Sequence, residues 1–567
     1  MPTDIPVKMT HRQVLEALTG LLLGMFVSMI ATTVVSTSMP VIVHDLGGDQ
    51  TAYTWVITST LLTTAISTPI WGKLADLFNR KLLIQIALVI FVAATAAAGF
   101  AQDTNTLIAF RAVQGLGGGG LAALSQVIMA DIISPRERGR YMGLFGAVMA
   151  VATVGGPLLG GFITDTANWR WNFFVALPFA VAALIILQKT LHIRAQQARK
   201  VSIDYAGIVL LSAAVSLLLI WVTNAGSSFE WRSAPTVLMV GGAIVASVVF
   251  IVVELKVREP LIPLSLFRGR TFTLSVLASI STGVAMFGTS VYLAQYMQLS
   301  RGATPTEAGL MTLPMMAGLL ISSMVVGQLV TRYGRWKGYL VLGSVLLIAG
   351  SALLSTLRYD TNFALVSIYM FLAGAGVGMT MQNLVLIVQN VARPAEMGVA
   401  SSGVTFFRSL GGTIGVSVMG AALANSITTL FADGRERIAA AIGTLGADGA
   451  EVARQLSSGT IPEVRMLPET VRVIVEDFYA QGISHAFLIG VPIALLSLVA
   501  ILFLPNIPLT KLTTSERAAA DASEVEEAAE VAIADAAALS GATTGSIRPT
   551  QDRSADAGDQ GKPDVRS

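Results

Sequence analysis

Ionisable side chains are rare inside the apolar segments of this sequence, and they occur at a few distinct places. Asp76 and Arg80 lie four residues apart just after one apolar segment, Arg111 lies inside another, and Asp131 and Asp165 lie at segment ends. A carboxyl group beside an arginine in a poorly solvated place can form an ion pair, or take up and release a proton. These five residues are therefore our candidates for proton coupling and for a switch that forms and breaks ion pairs.

The composition excludes several other chemistries. The chain has no cysteine, which excludes disulfides, thiolate metal ligands and cysteine nucleophiles. The four histidines are far apart, and no GxxxxGK[ST] phosphate loop occurs, so we predict no metal, no cofactor and no enzymatic activity. The 37 basic and 35 acidic residues give a net charge of +2 without a basic domain, which argues against a nucleic-acid partner.

The elements that must position these residues are membrane-spanning helices. Of the 567 residues, 53% are hydrophobic and only 13% are charged, whereas soluble domains have about 25% charged residues. A helix needs about 20 apolar residues to cross the lipid core. Fourteen segments meet this requirement, namely 17–39, 54–74, 82–100, 106–129, 141–163, 171–191, 205–224, 235–254, 271–297, 307–330, 338–357, 363–388, 399–429 and 484–504.

The positions of Lys and Arg predict the orientation of these segments. Twenty of them lie at the N-terminus and in every second loop, whereas the short loops on the other side contain only Arg170, Arg232, Arg301 and Arg358. Short cytoplasmic loops are enriched in basic residues. The pattern therefore places both termini in the cytoplasm and gives an even number of spans.

Two sequence stretches repeat at the same spacing. Gly72-Lys-Leu-Ala-Asp-Leu-Phe-Asn-Arg80 and Gly327-Gln-Leu-Val-Thr-Arg-Tyr-Gly-Arg335 are offset by 255 residues, as are Gly156 and Gly160 from Gly411 and Gly415. We infer two related six-helix bundles with two extra helices between them. The predicted parts are a cytoplasmic N-terminus (1–16), an N-terminal bundle (17–191), a central insertion (192–270), a C-terminal bundle (271–508) with an extracytoplasmic loop (430–483), and a disordered cytoplasmic tail (509–567).

Three motifs resemble those of one transporter family. They are Gly72 to Lys81, with the sequence GKLADLFNRK; Phe110-Arg-Ala-Val-Gln-Gly-Leu-Gly117; and Gly146 followed by Gly155-Gly-Pro-Leu-Leu-Gly-Gly161. Together they resemble the fourteen-helix drug:proton antiporter (multidrug efflux) family of the major facilitator superfamily. This resemblance implies an all-α membrane protein with the major facilitator fold, in which two six-helix bundles and two extra central helices give 14 transmembrane helices.

The resemblance also implies roles for the motif residues. The Gly72 to Lys81 loop, with Asp76 and Arg80, would be a latch that forms and breaks between conformations, and Arg111 would take part in proton transfer. Asn79 stands where the family pattern has glycine; because asparagine tolerates left-handed backbone, we expect the turn to persist.

The glycine-rich motif has a steric reading. Glycines let helices approach closely, and a proline bends a helix. The resemblance implies that this packing favours export over uptake. Its residues are Gly146, Gly156, Pro157, Gly160 and Gly161.

The chain departs from the family in having no acidic residue that we can place at mid-depth in a span. Ala31 stands where many members have an acidic residue, and the charges that we identify within spans are Arg111 and Arg408. A cationic substrate needs a negative partner in a poorly solvated cavity, so we favour a large amphipathic substrate that is neutral or anionic. Candidate cavity residues are Thr33, Ser36, Gln114, Tyr292, Gln295, Tyr296, Gln382, Asn383 and Arg408. Hydrogen bonding between helices explains the same polar residues equally well.

The predicted function is export of amphipathic drugs or toxic compounds across a bacterial cytoplasmic membrane, by proton antiport and alternating access. The partners would be the small substrate, protons and the lipid bilayer, and the protein would act as a monomer. If protons are coupled, we expect the titrating group to be Asp131 or Asp165, working with Arg111. One alternative is an exporter or flippase of a specific endogenous lipid or metabolite. Another is an adaptor or sensor that uses loop 430–483 or the tail to bind a protein.

Overall fold

The computed structural model describes most of the chain. It covers residues 11–47, 50–133, 166–191, 204–224, 229–257, 259–303, 305–393, 396–446, 449–457, 464–510 and 516, with separate positions between 141 and 164. The predicted N-terminus therefore lies mostly outside the described residues, and so does the predicted tail apart from residues 509–510 and 516.

Helices, most of them long, account for nearly all of the described chain. In chain order they are α1 (His11–Asp45), α2 (Gln50–Leu77), α3 (Arg80–Ala98), α4 (Thr104–Ile132), α5 (Ala176–Thr190), α6 (Tyr205–Asn224), α7 (Ala234–Glu254), α8 (Arg270–Leu299), α9 (Pro305–Met311), α10 (Leu313–Tyr333), α11 (Lys337–Leu354), α12 (Phe363–Val391), α13 (Met397–Asp433), α14 (Arg435–Gly443), α15 (Gly449–Ser457) and α16 (Glu469–Phe503). Short 3₁₀ turns at Trp169–Phe173, Leu264–Arg268 and Val464–Met466 connect some of them.

The helix lengths agree with a chain that spans a membrane many times. Within the described residues, eleven helical segments are long and apolar enough to cross. Two further predicted spans, 54–74 and 205–224, coincide with α2 and α6. The fourteenth, 141–163, is only partly described, and its described positions from 151 to 160 are helical. The predicted all-α membrane fold is thus confirmed.

Glycines set the packing of each bundle in the same way. In α4, a Cβ on Gly115 or Gly119 would overlap side-chain atoms of α2, and a Cβ on Gly117 would come within 2.6 Å of the backbone of α3. In α12, Gly374 and Gly378 abut α10 in this way, and Gly376 abuts α11. The Gly-x-Gly-x-Gly spacing is therefore a second repeat, which lets a central helix of each bundle contact two neighbours.

Asn79 differs from the expectation. Its φ of −64° and ψ of 112° are extended, and its side chain accepts a hydrogen bond from the Lys81 N–H at 2.9 Å, so that it caps α3. Gly334, at the corresponding place in the second half, is left-handed with φ 67°. The expected left-handed turn at Asn79 is wrong, because an asparagine can begin the next helix with its side chain.

The predicted loop 430–483 is largely helical. α13 ends at Asp433, α14 and α15 follow, and α16 already begins at Glu469 instead of residue 484. Val471, Val475 and Phe478 are buried at helical spacing, which extends the amphipathic face of α16 beyond the apolar segment. This is the physical reason that hydropathy alone placed the helix start too late.

Candidate functional site

Asp76 joins the two bundles at their predicted cytoplasmic end. It lies in the last turn of α2, and its side chain is only 3% exposed. Its Oδ1 accepts the Gly398 N–H at 2.7 Å, and its Oδ2 accepts the Val399 N–H at 2.9 Å. Both donors belong to the first turn of α13, where unpaired N–H groups and the helix dipole favour a negative charge. Asp76 therefore caps a helix of the opposite bundle.

Arg80 and Asp131 complete a buried charge cluster around Asp76. Arg80 Nη1 lies 2.5 Å from an Asp131 oxygen, Nη2 lies 3.6 Å from Asp76 Oδ1, and Nε donates to the Ala75 carbonyl at 2.8 Å. The structure thus brings together three of the five proposed coupling residues, from α2, α3 and α4. We call Asp76, Arg80, Asp131, Gly398 and Val399 the inner latch.

The bundles are in backbone contact beside the inner latch. A Cβ on Gly398 would overlap the Gly72 carbonyl oxygen and come within 2.5 Å of Asp76 Oδ1. A Cβ on Gly72 would in turn overlap the Ser402 side chain. Only glycines permit so close a crossing, so the bundles are closed against each other at this end.

Arg111 is buried in α4, about 10 Å from the start of that helix at 1.5 Å per residue. It is 2% exposed; its Nη1 donates to Gln114 Oε1 at 2.8 Å and its Nε donates to the Val56 carbonyl at 3.3 Å. Gln114 Nε2 in turn donates to Thr95 Oγ1 at 2.7 Å. Neutral oxygens on α2 and α4 thus hold the guanidinium, and α3 holds the amide.

The structure separates Arg111 from Asp131. They are 20 positions apart in α4, about 30 Å along the helix, and Asp131 contacts Arg80. The expectation that Asp131 works directly with Arg111 is therefore not supported by their positions. Asp165, the other carboxylate named for this role, lies outside the described residues.

Two glycines of the third motif, Gly156 and Gly160, pack against α1, whereas nothing lies within 4 Å of a Cβ placed on Gly155. A Cβ on Gly156 would overlap Thr33, and one on Gly160 would overlap the Val34 carbonyl oxygen. Thr33 Oγ1 donates to the Ala152 carbonyl at 2.9 Å, which fixes the same contact. Gly146, Pro157 and Gly161 lie outside the described residues.

The same glycine packing recurs in the second half. A Cβ on Gly411 would come within 2.5 Å of the Ile280 carbonyl oxygen, and one on Gly415 within 2.6 Å of Val284, both on α8. The glycines that repeat at an offset of 255 therefore serve equivalent helix contacts.

Most of the candidate cavity residues tie helices together. Tyr292 of α8 donates to the Val416 carbonyl of α13, and Tyr296 of α8 donates at 2.6 Å to the Arg358 carbonyl in the loop between α11 and α12. Asn383 Nδ2 donates at 2.6 Å to the Met379 carbonyl of its own helix. Thr33 and Gln114 are engaged as described above. Gln295 is half-buried, and the side chain of Ser36 lies outside the described residues. Hydrogen bonds to another element thus account for Thr33, Gln114, Tyr292, Tyr296 and also Gln382, five of the nine candidates.

Glutamine side chains connect the bundles near the inner latch. Gln126 Nε2 of α4 donates to Gln382 Oε1 of α12 at 3.3 Å, and Gln389 Nε2 donates to the Gln126 carbonyl at 3.3 Å. Gln126 was not among the residues singled out from sequence, since a lone glutamine in an apolar segment has no distinguishing neighbours.

Arg408 differs from the other candidates in having few partners. It lies about 16 Å along α13 from Met397, it is 7% exposed, and its Nη1 is 3.5 Å from the Met381 carbonyl oxygen. Among the described residues, no carboxylate pairs with it. A buried guanidinium with so few partners can donate hydrogen bonds to an anionic or carbonyl-bearing group of a bound compound.

Comparisons with known proteins identify the family of this chain. The family model of the Major Facilitator Superfamily matches residues 21–416. Multidrug transporter protein MdtP of Bacillus subtilis is 36% identical over 439 residues, covering 77% of this chain and 80% of that protein. Multidrug resistance protein 3 of the same organism is 31% identical over 489 residues, covering 86% and 94%.

A solved structure shares the fold. The proton:xylose symporter XylE superposes with a TM-score of 0.57 at 14% sequence identity, covering 90% of this chain and 99% of that one. At that identity the likeness concerns the fold alone. With the family match, the repeated glycine contacts and the helix-capping aspartate, these findings establish that the chain belongs to the Major Facilitator Superfamily of multi-pass membrane transporters.

Proposed function

We propose that this protein exports amphipathic compounds across a bacterial cytoplasmic membrane in exchange for protons, by alternating access and as a monomer. The observation that carries the proposal is the inner latch, in which Asp76 of one bundle caps α13 of the other. The names of two bacterial relatives, a multidrug transporter and a multidrug resistance protein, support export of drugs.

The latch suggests how the bundles move. Opening toward the cytoplasm requires that Asp76 release the Gly398 and Val399 N–H groups and that the Gly72–Gly398 crossing separate. Closed bundles at this end leave the opposite end free to open, as in rocking of two related halves about a shared cavity. The α1 contacts of Gly156 and Gly160 hold the N-terminal bundle rigid during this motion.

Protonation would act on the latch through charge. A proton on Asp131 or Asp76 removes its ion pair with Arg80, and a proton on Asp76 also removes the negative charge at the start of α13. Proton binding would therefore loosen the inner closure and favour the inward-open state. Asp165 and Arg111 remain our candidates for the proton path at the outer end.

The substrate class follows from the buried cations. Arg408 and Arg111 are held by neutral oxygens where they have partners, so a neutral or anionic amphipathic compound would meet no carboxylate of the described residues there. We propose Arg408, Gln382 and Gln295 as the polar contacts of such a compound.

Transport in inside-out vesicles tests the proposal. An imposed proton gradient, acid inside, should accelerate accumulation of an anionic or neutral lipophilic dye at least about tenfold, and each transport event should consume part of the gradient. Equal rates with and without the gradient would remove the antiport. An envelope defect without drug hypersensitivity after gene deletion would favour the lipid or metabolite exporter. Lost efflux after truncation at residue 510 would favour the adaptor reading.

The proposed orientation has a separate test, which the natural absence of cysteine makes simple. Single cysteines at the exposed positions Asn79 and Arg335 should react with a membrane-impermeant thiol reagent only from the cytoplasmic side, because equivalent loops of parallel repeats face the same side. A cysteine at the exposed Arg358 should react only from outside. Labelling of positions 79 and 335 from opposite sides would contradict the two-bundle arrangement.

A further inference from the structure

Two carboxyl groups meet at the inner end of the two-helix insertion. Asp204 directly precedes α6, and Glu254 is the last residue of α7. The two residues are 7% and 4% exposed, so both are buried within the protein. They are 50 residues apart in sequence, and they face each other because α6 and α7 pack side by side.

Three of the four carboxyl oxygens have backbone donors. Glu254 Oε1 accepts the Leu261 N–H and Oε2 accepts the Ile262 N–H, both at 3.2 Å, and Asp204 Oδ1 accepts the Gly207 N–H at 2.8 Å. The fourth oxygen, Asp204 Oδ2, is buried and has no hydrogen-bond partner among the residues that the structure describes. A buried oxygen without a partner costs free energy unless it carries or meets a hydrogen.

Asp204 Oδ2 points toward Glu254. A Cβ on Gly207 would overlap Asp204 Oδ2 and come within 2.7 Å of Glu254 Oε1, so both oxygens border the same small space. The Asp204 side chain is within hydrogen-bonding reach of Glu254. Two carboxylates this close in a poorly solvated place do not both stay ionised, because a shared proton removes the repulsion between them.

We propose that Asp204 and Glu254 form a proton-binding carboxyl pair, in which one proton is shared between Asp204 Oδ2 and Glu254. With this proton every carboxyl oxygen of the pair has a partner. Loss of the proton leaves two adjacent negative charges and returns the pair to an unfavourable state, with the proton passing to cytoplasmic water.

The pair holds a segment that belongs to one buried apolar cluster with residues of both bundles. Glu254 binds the backbone of Leu261 and Ile262, whose buried side chains pack with Ala65 and Ile66 of α2 and with Phe406 of α13. Both bundles therefore contribute to the cluster that contains this segment. Loss of the proton would weaken the hold of Glu254 on the segment at a place where the two bundles meet.

The same segment carries an ion pair to the latch motif. Glu259 Oε2 lies 3.0 Å from Lys73 Nζ, and Lys73 adjoins Gly72. Loosening of the segment would therefore weaken the packing between Gly72 and Gly398. This coupling role rests on the proposed antiport, whereas the proton site itself does not.

Other charged groups on the packed elements do not neutralise the pair. Lys256 is exposed, and Lys73 and Glu259 pair with each other. On α2 Asp76 faces Arg80, and on α13 Glu396 pairs with Arg393. Arg408 lies deep along α13. Among the described residues, then, the two carboxyl groups face each other without a cation between them.

Infrared difference spectroscopy of the full-length protein in lipid vesicles tests the proton site. Raising the pH from roughly 5 to 9, the range in which buried carboxyl groups titrate, should remove one carboxylic-acid band in the wild type. Asp204→Asn and Glu254→Gln should each lack this band, and Glu259→Gln, a carboxylate of the same segment, should retain it. An unchanged band in both pair variants, or no such band in the wild type, would overturn the proposal.

Two further measurements distinguish proton binding from metal binding and the proton site from its role in transport. Removal of the band by sodium at constant pH would overturn proton binding in favour of a metal cation. In vesicles, Asp204→Asn keeps a donor toward Glu254 and should make dye transport at least about tenfold less sensitive to the proton gradient. If Asp204→Asn loses the carboxylic-acid band but keeps its sensitivity to the proton gradient, the coupling role is overturned. If the wild type shows the band but no proton antiport, the proton site is supported and the transport proposal fails separately.

Discussion

Replacing Gly398 by valine is expected to lower export by up to about 100-fold while the protein still inserts into the membrane. A Cβ there overlaps the Gly72 carbonyl oxygen and approaches Asp76 Oδ1 to 2.5 Å, and neither backbone can move aside without separating the bundles. Overpacking of this kind costs about 1–3 kcal/mol, and roughly 3 kcal/mol corresponds to about a 100-fold smaller population of the inner-closed state. Dye export from whole cells at matched protein level measures the effect.

Gly338 supplies a matched control for this substitution. It is also the second residue of a helix, α11, but nothing lies within 4 Å of a Cβ placed there. Gly338→Val should therefore transport as the wild type does. Equal export by both variants would mean that the Gly72–Gly398 crossing does not form during transport. Asp76→Asn should have a smaller effect, about tenfold, because it removes the charge at the start of α13 but keeps an acceptor oxygen.

Replacing Arg111 by alanine is expected to reduce transport at least about 100-fold without loss of membrane insertion. The guanidinium is the only described cation in α4, it is fully enclosed, and it bonds to α2 through Val56 and to Gln114. A cation at this depth is costly to the protein and is retained where it has a function. Its loss also leaves Gln114 Oε1 without its donor, which we expect to disturb the contact with Thr95.

Two variants interpret the Arg111 result. Arg111→Lys keeps the charge but loses the planar group that reaches two acceptors at once, so intermediate activity would assign part of the effect to geometry. Arg358→Ala, at an exposed position of the predicted outer face, should transport normally. Full transport by Arg111→Ala would reduce Arg111 to a structural role. The decisive readout is dye transport per unit of inserted protein in vesicles, with and without the proton gradient.

Much of the fold was predictable from local sequence. Apolar length located nearly every long helix, and the offset of 255 residues correctly paired Gly156 and Gly160 with Gly411 and Gly415 as helix-contact positions. The motif beginning at Gly72 lies where the two bundles are in contact, and its role as a latch stays a prediction. These properties depend on hydropathy and on the small size of glycine, which act at a single position whatever the partner is.

The partners of the polar residues came only from the tertiary structure. Sequence placed Asp131 with Arg111, but helix geometry puts them about 30 Å apart and gives Asp131 to Arg80. Tyr292 and Tyr296 looked equally suited to a cavity or to packing, and the structure bonds Tyr292 to a backbone carbonyl of α13 and Tyr296 to one in the loop between α11 and α12.

The sequence by itself determined that the chain is a repeated bundle of membrane helices with very few buried charges, because the energy of placing a side chain in lipid is set by that side chain alone. The tertiary structure decided which charges meet. Asp76 binds the start of α13, more than 300 residues away in sequence, and Asp204 lies next to Glu254 at the other end of the insertion. Such pairings depend on helix rotation and depth, and these are fixed by the packing of the whole chain rather than by the residues that pair.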